Sequence, residues 1–331
     1  MRARFRKYLL ALCGGLAFSS CTIDDVLAPV GSGGGSLDEK VVLGLRTALS
    51  VGIDTSAAFA SQVNGYLAHE AIRILLPAEA AQAIKAAEEV AGYVNPFAHE
   101  LQAIKAIAAA TPGVEQGSFT ANLGRSAGIL GEVAAMGSIG DSLVKYMNRA
   151  AEYAAPRSVP IFKSAIGSMT INDGLSLLNS ADSTAATLYL SGKTFNPLDA
   201  AYTPIVDSTL ALVPLTKYWS DFRSTYNTLL VDYQALVDFQ VSWNANVVVS
   251  RVPTLQVDAL KRVSYKPIET ESLGAWTTEK ALTGLFFLVG EQERSIRRDP
   301  IGYVKELAAD LSNILTEVFG KIMDMEKPPA P

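Results

Sequence analysis

The sequence predicts an all-α protein, a multi-helix bundle-like domain with a small extended insertion near residues 243–268. Three observations support this prediction. Alanine, leucine and other strong helix formers are abundant along the whole chain. Apolar residues recur at helical spacing in several long stretches, and the alternation typical of strands is rare. Only near 243–268 do consecutive valines (247–249) and Pro253 favour an extended chain.

The N-terminal residues have the order of a secretory signal peptide, predicted to span 1–20. A basic segment precedes a short apolar run and the small pair Ser19-Ser20. The basic residues are Arg2, Arg4, Arg6 and Lys7. The apolar run is too short to cross a hydrocarbon core of ~30 Å as a helix. Cys21 follows the small pair and resembles a lipobox cysteine, whose lipidated thiol would anchor the protein. The alternative is an ordinary signal peptide with an incidental cysteine.

Residues 21–37 are predicted to form the lipidated cysteine and a flexible tether. The stretch 31–36 contains only glycine and serine, a composition typical of a random coil. As a flexible coil, the fifteen residues from 22 to 36 would have a root-mean-square reach of roughly 20 Å. The folded part would therefore stay close to a membrane. An aspartate directly after a lipobox cysteine is the usual enterobacterial signal for retention in the inner membrane, and this chain has Thr22 there. We therefore expect a bacterial cell-envelope protein on the periplasmic face of the outer membrane.

Composition argues against several classes of function. The formal net charge is −5 and becomes more negative when the basic leader is removed, which disfavours nucleic-acid partners. The only cysteines are Cys13 and Cys21, so the folded part has no disulfide. Neither His69 nor His99 belongs to an H-E-x-x-H motif, and no P-loop or dinucleotide fingerprint occurs. The sequence therefore predicts no metal site and no cofactor.

The pattern predicts a single helical domain over residues 38–323, followed by a disordered tail at 324–331. Helices are predicted over 38–64, 77–94, 98–110, 141–155, 159–169, 204–213, 215–241, 277–298 and 302–323. We expect Asn95-Pro96 to end the second helix, because proline removes a helical hydrogen bond. The glycine-rich residues 122–140 predict either a close helix–helix contact or a mobile loop.

Glu293 lies on the buried side of the predicted helix 277–298. At 100° per residue it falls among Leu282, Val289 and Ile296, with Arg297 one turn later. A buried carboxylate must be paired, protonated or directed into a cavity. Three interpretations remain open, namely an i, i+4 pair with Arg297, the polar anchor of a ligand pocket, and a general acid–base catalyst.

Helix 141–155 has its apolar residues on one face and Asn148, Arg149 and Glu152 on the other. The pattern alone indicates that these polar side chains face solvent, unless another element covers them. An arginine and a glutamate three residues apart on a surface form only a weak pair.

Several separated segments together resemble an uncharacterised bacterial family, the domain of unknown function 4197. They are 44–59, 71–77, 147–156 (MNRAAEYAAP), 161–180, 185–190, 204–210, 216–219 and 277–300. The resemblance covers roughly residues 41–321 and implies a mostly helical periplasmic domain, commonly a lipoprotein, with no known activity. It also indicates insertions at about 95–140 and 232–270.

The resemblance nominates a polar cluster of functional or structural importance, whose members are Asn148, Arg149, Glu152, Glu293 and Arg297. We hypothesise that helix 277–298 covers the polar face of helix 141–155. Arg149 would then meet Glu293, and Glu152 would meet Arg297, in one charged cluster.

The function expected from the sequence is a lipid-anchored cell-envelope protein that binds a ligand or partner without catalysis. The anchor at Cys21 would hold it to a membrane, and its partner would be a small molecule or an envelope protein. One alternative is a carboxylate-dependent envelope enzyme using Glu293 with Glu152 or Asp207. Another is a structural or assembly lipoprotein.

Overall fold

The computed structural model describes residues 37–112, 116–212, 215–269 and 272–299. The predicted signal peptide, Cys21, the tether to residue 36, the helix at 302–323 and the tail at 324–331 lie outside these residues. The part of the chain that the structure describes contains α-helices, 3₁₀-helices and loops but no β-strand. The all-α prediction is confirmed.

The chain forms a series of long helices joined mostly by short loops. They are α1 (Leu37–Ala60), α2 (Ala78–Ala110), α3 (Gln116–Ala154), α4 (Ser158–Gly167), α5 (Ile171–Leu178), α6 (Ala185–Leu212), α7 (Leu215–Ala245) and α8 (Gly274–Arg298). Short 3₁₀-helices occupy Ala155–Arg157, Val249–Arg251 and Pro253–Leu255. Residues 61–77, between α1 and α2, form a long loop without a regular helix.

Two groups of helices share one hydrophobic core, and α3 belongs to both. One end of α3 packs between α2 and α7, and its C-terminal end packs on α6 and α8. Helices α1, α4, α6 and α8 complete the second group. With 39 residues, α3 is about 58 Å long at 1.5 Å per residue. It is therefore the element that joins the two ends of the molecule.

Helix α2 continues through Pro96, so the predicted stop at Asn95-Pro96 is wrong. Val94 and Phe97 are both fully buried, and the same apolar face continues to Leu101 and Ile104. Burial of these side chains offsets the roughly 3 kcal/mol that an internal proline costs a helix. Helix α6 likewise contains Pro197 and Pro204.

The glycine-rich residues 122–140 are helical and lie within α3, so the mobile-loop alternative is wrong. One side of this stretch is buried, with Ile129 and Met136 in the core. Gly140 lies close to the neighbouring α2, because a Cβ added there would lie 3.0 Å from Ile84 Cδ1. The segment is held in the helix by its packed side.

The predicted extended insertion corresponds to residues 246–269, which contain no α-helix. We call residues 255–269 the strap. The Asn244 side chain bonds to both the carbonyl and the N–H of Val257, at 2.6 and 3.1 Å. Gln240 makes the same two bonds to Leu260, both at 3.0 Å. Single bonds to the strap backbone come from Trp243, Tyr233 and Asn227. Helix α7 thus holds the strap through its main chain.

Among the described residues, two helical stretches are long and apolar enough to cross a membrane when judged by length and composition alone, a test that core helices of soluble proteins also pass. For Asp38–Ala60, 67% of the most apolar window is buried, as expected for a core helix. For Gly117–Gly167, the buried share is 22%. This second stretch therefore leaves an apolar helix surface exposed.

Candidate functional site

The polar face of α3 is covered by the loop at 61–77. Asn148 is fully buried, and its side-chain amide exchanges two hydrogen bonds with the backbone of Ile74. The Ile74 N–H donates to Asn148 Oδ1 at 2.9 Å, and Asn148 Nδ2 donates to the Ile74 carbonyl at 2.8 Å. Asn148 Nδ2 also donates to the Val144 carbonyl within the helix. One asparagine thus positions one end of the loop.

Glu152 holds the other end of the same loop. Its Oε1 accepts hydrogen bonds from the backbone N–H groups of Tyr66 and Leu67, at 3.2 and 3.3 Å. Its Oε2 is ion-paired with Arg149, which also donates to Asn64 Oδ1 at 2.8 Å. A buried carboxylate that accepts backbone N–H bonds and faces a guanidinium has its desolvation offset.

The loop needs these contacts because its turn at Asn64-Gly65 is tight. Asn64 has a φ of 70°, in the left-handed region where asparagine is one of the more tolerated residues. A Cβ on Gly65 would lie 2.5 Å from the Phe59 carbonyl oxygen, so only glycine fits. Beyond this turn, the Tyr66 hydroxyl donates to the Ala281 carbonyl of α8 at 2.7 Å. Burial, with the nearby Tyr202 and Glu152, raises the pKa of Tyr66 well above its usual range.

Glu293 caps the N-terminus of α6. Its two oxygens accept the backbone N–H groups of Ala186, at 2.9 Å, and Thr187, at 2.7 Å. The Thr187 hydroxyl donates to the same carboxylate at 2.8 Å. These N–H groups belong to the first turn of α6, where no helical carbonyl is available and the helix dipole favours an anion. Glu293 therefore provides from α8 the capping oxygen that α6 lacks.

Arg297 completes this second cluster. Its Nε lies 2.9 Å from Glu293 Oε1, which confirms the predicted i, i+4 pair. Its Nη2 donates to the Leu177 carbonyl in the last turn of α5, at 3.0 Å. One ion pair on α8 thus fastens the end of α5 and the start of α6.

The structure separates the residues that were expected to form one cluster. Arg149 pairs with Glu152 and Arg297 pairs with Glu293, so the expected contacts between Arg149 and Glu293 and between Glu152 and Arg297 are wrong. The Glu152 cluster meets α8 through Tyr66 at Ala281, twelve residues before Glu293. At 1.5 Å per residue, this is about 18 Å along the helix. The sequence pattern did not identify the loop at 61–77 as the element that covers the polar face of α3. The Asn64-Gly65 dipeptide, which is typical of a turn, was the only local indication of this loop.

The two clusters are built for stability rather than for proton transfer. Glu152 and Glu293 are each bound by backbone N–H groups and by an arginine, and they lie on different helices, Glu152 on α3 and Glu293 on α8. Asp207 is exposed near Gly274, nineteen residues or about 28 Å before Glu293 along the helix. The carboxylate pairs that an acid–base mechanism would need are therefore not assembled. Among the described residues, no group of three histidine, cysteine or acidic side chains is arranged to hold a metal ion.

Comparison with known proteins agrees with the resemblance seen in the sequence. A family model described as a protein of unknown function (DUF4197) matches residues 36–116 and 118–320. No curated protein and no solved structure matches the chain. The matched residues include both polar clusters, the glycine-rich part of α3 and the strap, and they make up most of the sequence. The chain belongs to the DUF4197 family.

Proposed function

We propose that this chain is a lipid-anchored protein of the bacterial cell envelope whose helical body binds a partner and is not an enzyme. Cys21 carries the lipid in this proposal, and the periplasmic face of the outer membrane is its place. The proposal that the protein is not an enzyme is supported by the contacts of its two buried carboxylates, Glu152 and Glu293. Glu152 holds the loop at 61–77, Glu293 caps α6, and the third carboxylate considered for catalysis, Asp207, lies near the opposite end of α8 from Glu293.

The same geometry favours a protein partner over a small molecule bound at Glu293. A pocket anchor must leave an oxygen free for the ligand, whereas both Glu293 oxygens already accept bonds from Ala186, Thr187 and Arg297. A protein partner needs instead an exposed surface with few charges. Helix α3 offers such a surface between residues 117 and 140.

The positions of the helix ends fit an anchor at one end of the body. Helix α1 begins at Leu37, and its Val42 lies against Gly174 of α5. Helix α5 is also the element to which Arg297 binds, so α1 starts at the α5 end of the molecule. A tether from Cys21 would hold that end near the membrane. The α2–α3–α7 end would then extend away from the membrane, toward partners in the periplasm.

Metabolic labelling tests the anchor directly. The full-length chain is expressed in a bacterium grown with an alkyne fatty acid, beside the variants Cys21→Ser and Cys13→Ser. We expect label on the parent and on Cys13→Ser, both in the outer-membrane fraction, and none on Cys21→Ser. Label that persists in Cys21→Ser, or is absent from the parent, would refute the anchor.

Photo-crosslinking in living cells tests whether the body binds a partner. A photoreactive residue replaces Ala127 on the exposed side of α3, with Ala200 on the exposed side of α6 as the matched control. We expect a covalent adduct from position 127 and none from position 200. The absence of any adduct at 127 would remove the support for a binding module.

A further inference from the structure

The exposed side of α3 has an unusual composition. Between residues 117 and 140, no exposed residue is charged and none is larger than threonine. These residues are Gly117, Thr120, Ala121, Gly124, Ala127, Gly128, Gly131, Ala134, Ala135, Gly137 and Ser138. A helix surface in contact with water normally carries charged side chains, and glycine lowers helix stability. Among the described residues, a Cβ at Gly124, Gly128 or Gly131 would meet no atom within 4 Å, so contacts within this part of the chain do not explain the glycines.

Six of these residues form a continuous line, which we call the small-residue face. They are Ala121, Gly124, Gly128, Gly131, Ala135 and Ser138, separated by three, four, three, four and three residues. This spacing keeps them on one side of the helix over about 26 Å. Small side chains in such a line allow the backbone of a second helix to approach closely.

The spacing of the small-residue face is symmetric about a point between residues 129 and 130. Two copies of α3 packed antiparallel about that point place Gly128 of one opposite Gly131 of the partner subunit. Gly124 then faces the partner subunit's Ala135, and Ala121 faces the partner subunit's Ser138. A closed dimer with twofold symmetry requires a surface that is complementary to itself, and this line of residues meets that requirement.

Charged groups at the edge of the face supply a second, independent observation. Glu132 Oε2 is buried and has no hydrogen-bond partner among the described residues. Burial, with the nearby Asp232, raises the pKa of Glu132. Arg125 lies on the same edge, where its Nε donates to Asp232 at 3.1 Å and its Nη1 donates to Asn122 at 2.6 Å. Within the part of the chain that the structure describes, no acceptor binds its Nη2.

The antiparallel arrangement brings these two groups together. A twofold axis perpendicular to both helices places Arg125 and Glu132 of the partner subunit on the same edge of the pair. Their axial offset is two residues, about 3 Å, which an arginine side chain spans easily. Turned toward the partner subunit, each Glu132 would gain a cation for the oxygen that has no hydrogen-bond partner among the described residues of its own chain, and two such contacts would form.

We propose that the small-residue face of α3 is the contact surface for a second copy of this chain, packed antiparallel, with Arg125 of each copy binding Glu132 of the other. This inference specifies the partner within the proposed function and rests on it. A lipid surface fits less well, because alanine and glycine bury little apolar area. Two glycine-rich helices instead gain close backbone contact.

Cysteine crosslinking of the full-length chain in cells tests the proposal and its direction. Gly124→Cys and Ala135→Cys, on differently tagged copies, are expressed together and oxidised. We expect a disulfide between them, because their Cα atoms face each other in the antiparallel pair. Gly124→Cys alone should form no dimer, since its two copies would lie about 16 Å apart along the axis, beyond disulfide reach. The unsubstituted chain controls for Cys13 and Cys21.

Several outcomes of this experiment would overturn the proposal. A disulfide between two copies of Gly124→Cys would indicate parallel packing, and no disulfide in any pair would exclude a second copy at this face. If the probe at Ala127 then captures a different protein, the proposed partner binding is supported and the proposed self-association is refuted. If the probe labels residues 300–331 of its own chain, that segment covers the face.

A second pair of variants separates dimer loss from misfolding. Gly128→Leu places a large side chain in the contact surface, at a position where an added Cβ would meet no atom of the described residues within 4 Å. Native mass spectrometry of the detergent-extracted protein should give one chain for Gly128→Leu and two for the parent, and the variant should keep a cooperative melting transition, at a temperature lowered only by the lost association. Gly92→Leu, at an equally open glycine on α2, should stay dimeric. A dimeric Gly128→Leu would refute the proposal.

Exchanging the charges tests the proposed ion pair. Arg125→Glu or Glu132→Arg alone should weaken self-association at least tenfold. The double variant, which restores opposite charges across the twofold axis, should recover most of that loss. Arg125 also binds Asp232 in its own chain, so each single variant at Arg125 disturbs a contact within the chain as well. The test of the ion pair is therefore the recovery of self-association in the double variant. A double variant as weak as the single variants would refute the pairing.

Discussion

Replacement of Glu293 by glutamine separates a structural carboxylate from a ligand-binding one. Glutamine has the same shape but only one accepting oxygen, and its NH₂ group would point at a donor. If the amide oxygen keeps the Thr187 contacts, the Ala186 N–H loses its acceptor and the Arg297 ion pair is lost. An unsatisfied buried donor costs about 1–3 kcal/mol, and a hydrogen bond to a charged group contributes about 1.5–3 kcal/mol.

We expect Glu293→Gln to lower the free energy of unfolding by about 3 kcal/mol, a factor of roughly 10² in the folding equilibrium. For a protein of this size, the melting temperature should fall by about 6–12 °C. Urea unfolding followed by circular dichroism measures the free energy, and calorimetry measures the temperature.

Glu291→Gln is the matched control on the same helix. Glu291 forms an ion pair with Arg294, but its side chain is 50% exposed, compared with 3% for Glu293. An exposed pair contributes about 0–1 kcal/mol, so the control should unfold almost like the parent. Equal effects of the two substitutions would refute the capping role and reopen the interpretation of Glu293 as a ligand anchor.

Three further outcomes follow from the same contacts. Asn148→Ala should cost about 2–3 kcal/mol and speed hydrogen exchange in residues 61–77, because both bonds to Ile74 are lost; unchanged exchange would contradict the role assigned to Asn148. Gly92→Ala should stabilise the fold by up to about 1 kcal/mol, whereas Gly174→Ala, whose Cβ would lie 2.7 Å from Val42 Cγ1, should destabilise it in the same melting assay. Hydrogen bonds from the Thr170 backbone and hydroxyl lower the pKa of Asp173 below the ordinary aspartate value of 3.8. This contribution to stability is present above pH 3.8 and disappears as the pH falls through the lowered value, so the loss of stability on acidification should be smaller in Asp173→Asn.

Local patterns in the sequence predicted the features that depend on near neighbours. The apolar spacing in residues 215–241 and 277–298 predicted α7 and α8 to within a few residues. The Glu293–Arg297 pair was one of the predicted alternatives because its two members lie four residues apart on one helix. Such contacts are set by helix geometry alone.

Contacts between distant parts of the chain could not be predicted in this way. The acceptors and donors that bind Asn148, Glu152 and Glu293 lie 74 to 107 residues away. Which element covers a polar face depends on how the helices pack, and the sequence pattern contains no such information. The same packing overrides local propensity at Pro96, where a strong stop signal lies inside a continuous helix.

The strap is held in a way that does not depend on the identity of its side chains between Val257 and Leu260. Asn244 and Gln240 recognise peptide groups, which every residue has, so the outward side chains between Val257 and Leu260 can be exchanged without releasing the segment. Length is constrained instead. One residue inserted between Val257 and Leu260 would separate their peptide groups further. If one of them then keeps its bonds to Asn244 or Gln240, the other loses its bonds. The region should therefore tolerate substitution far better than insertion or deletion.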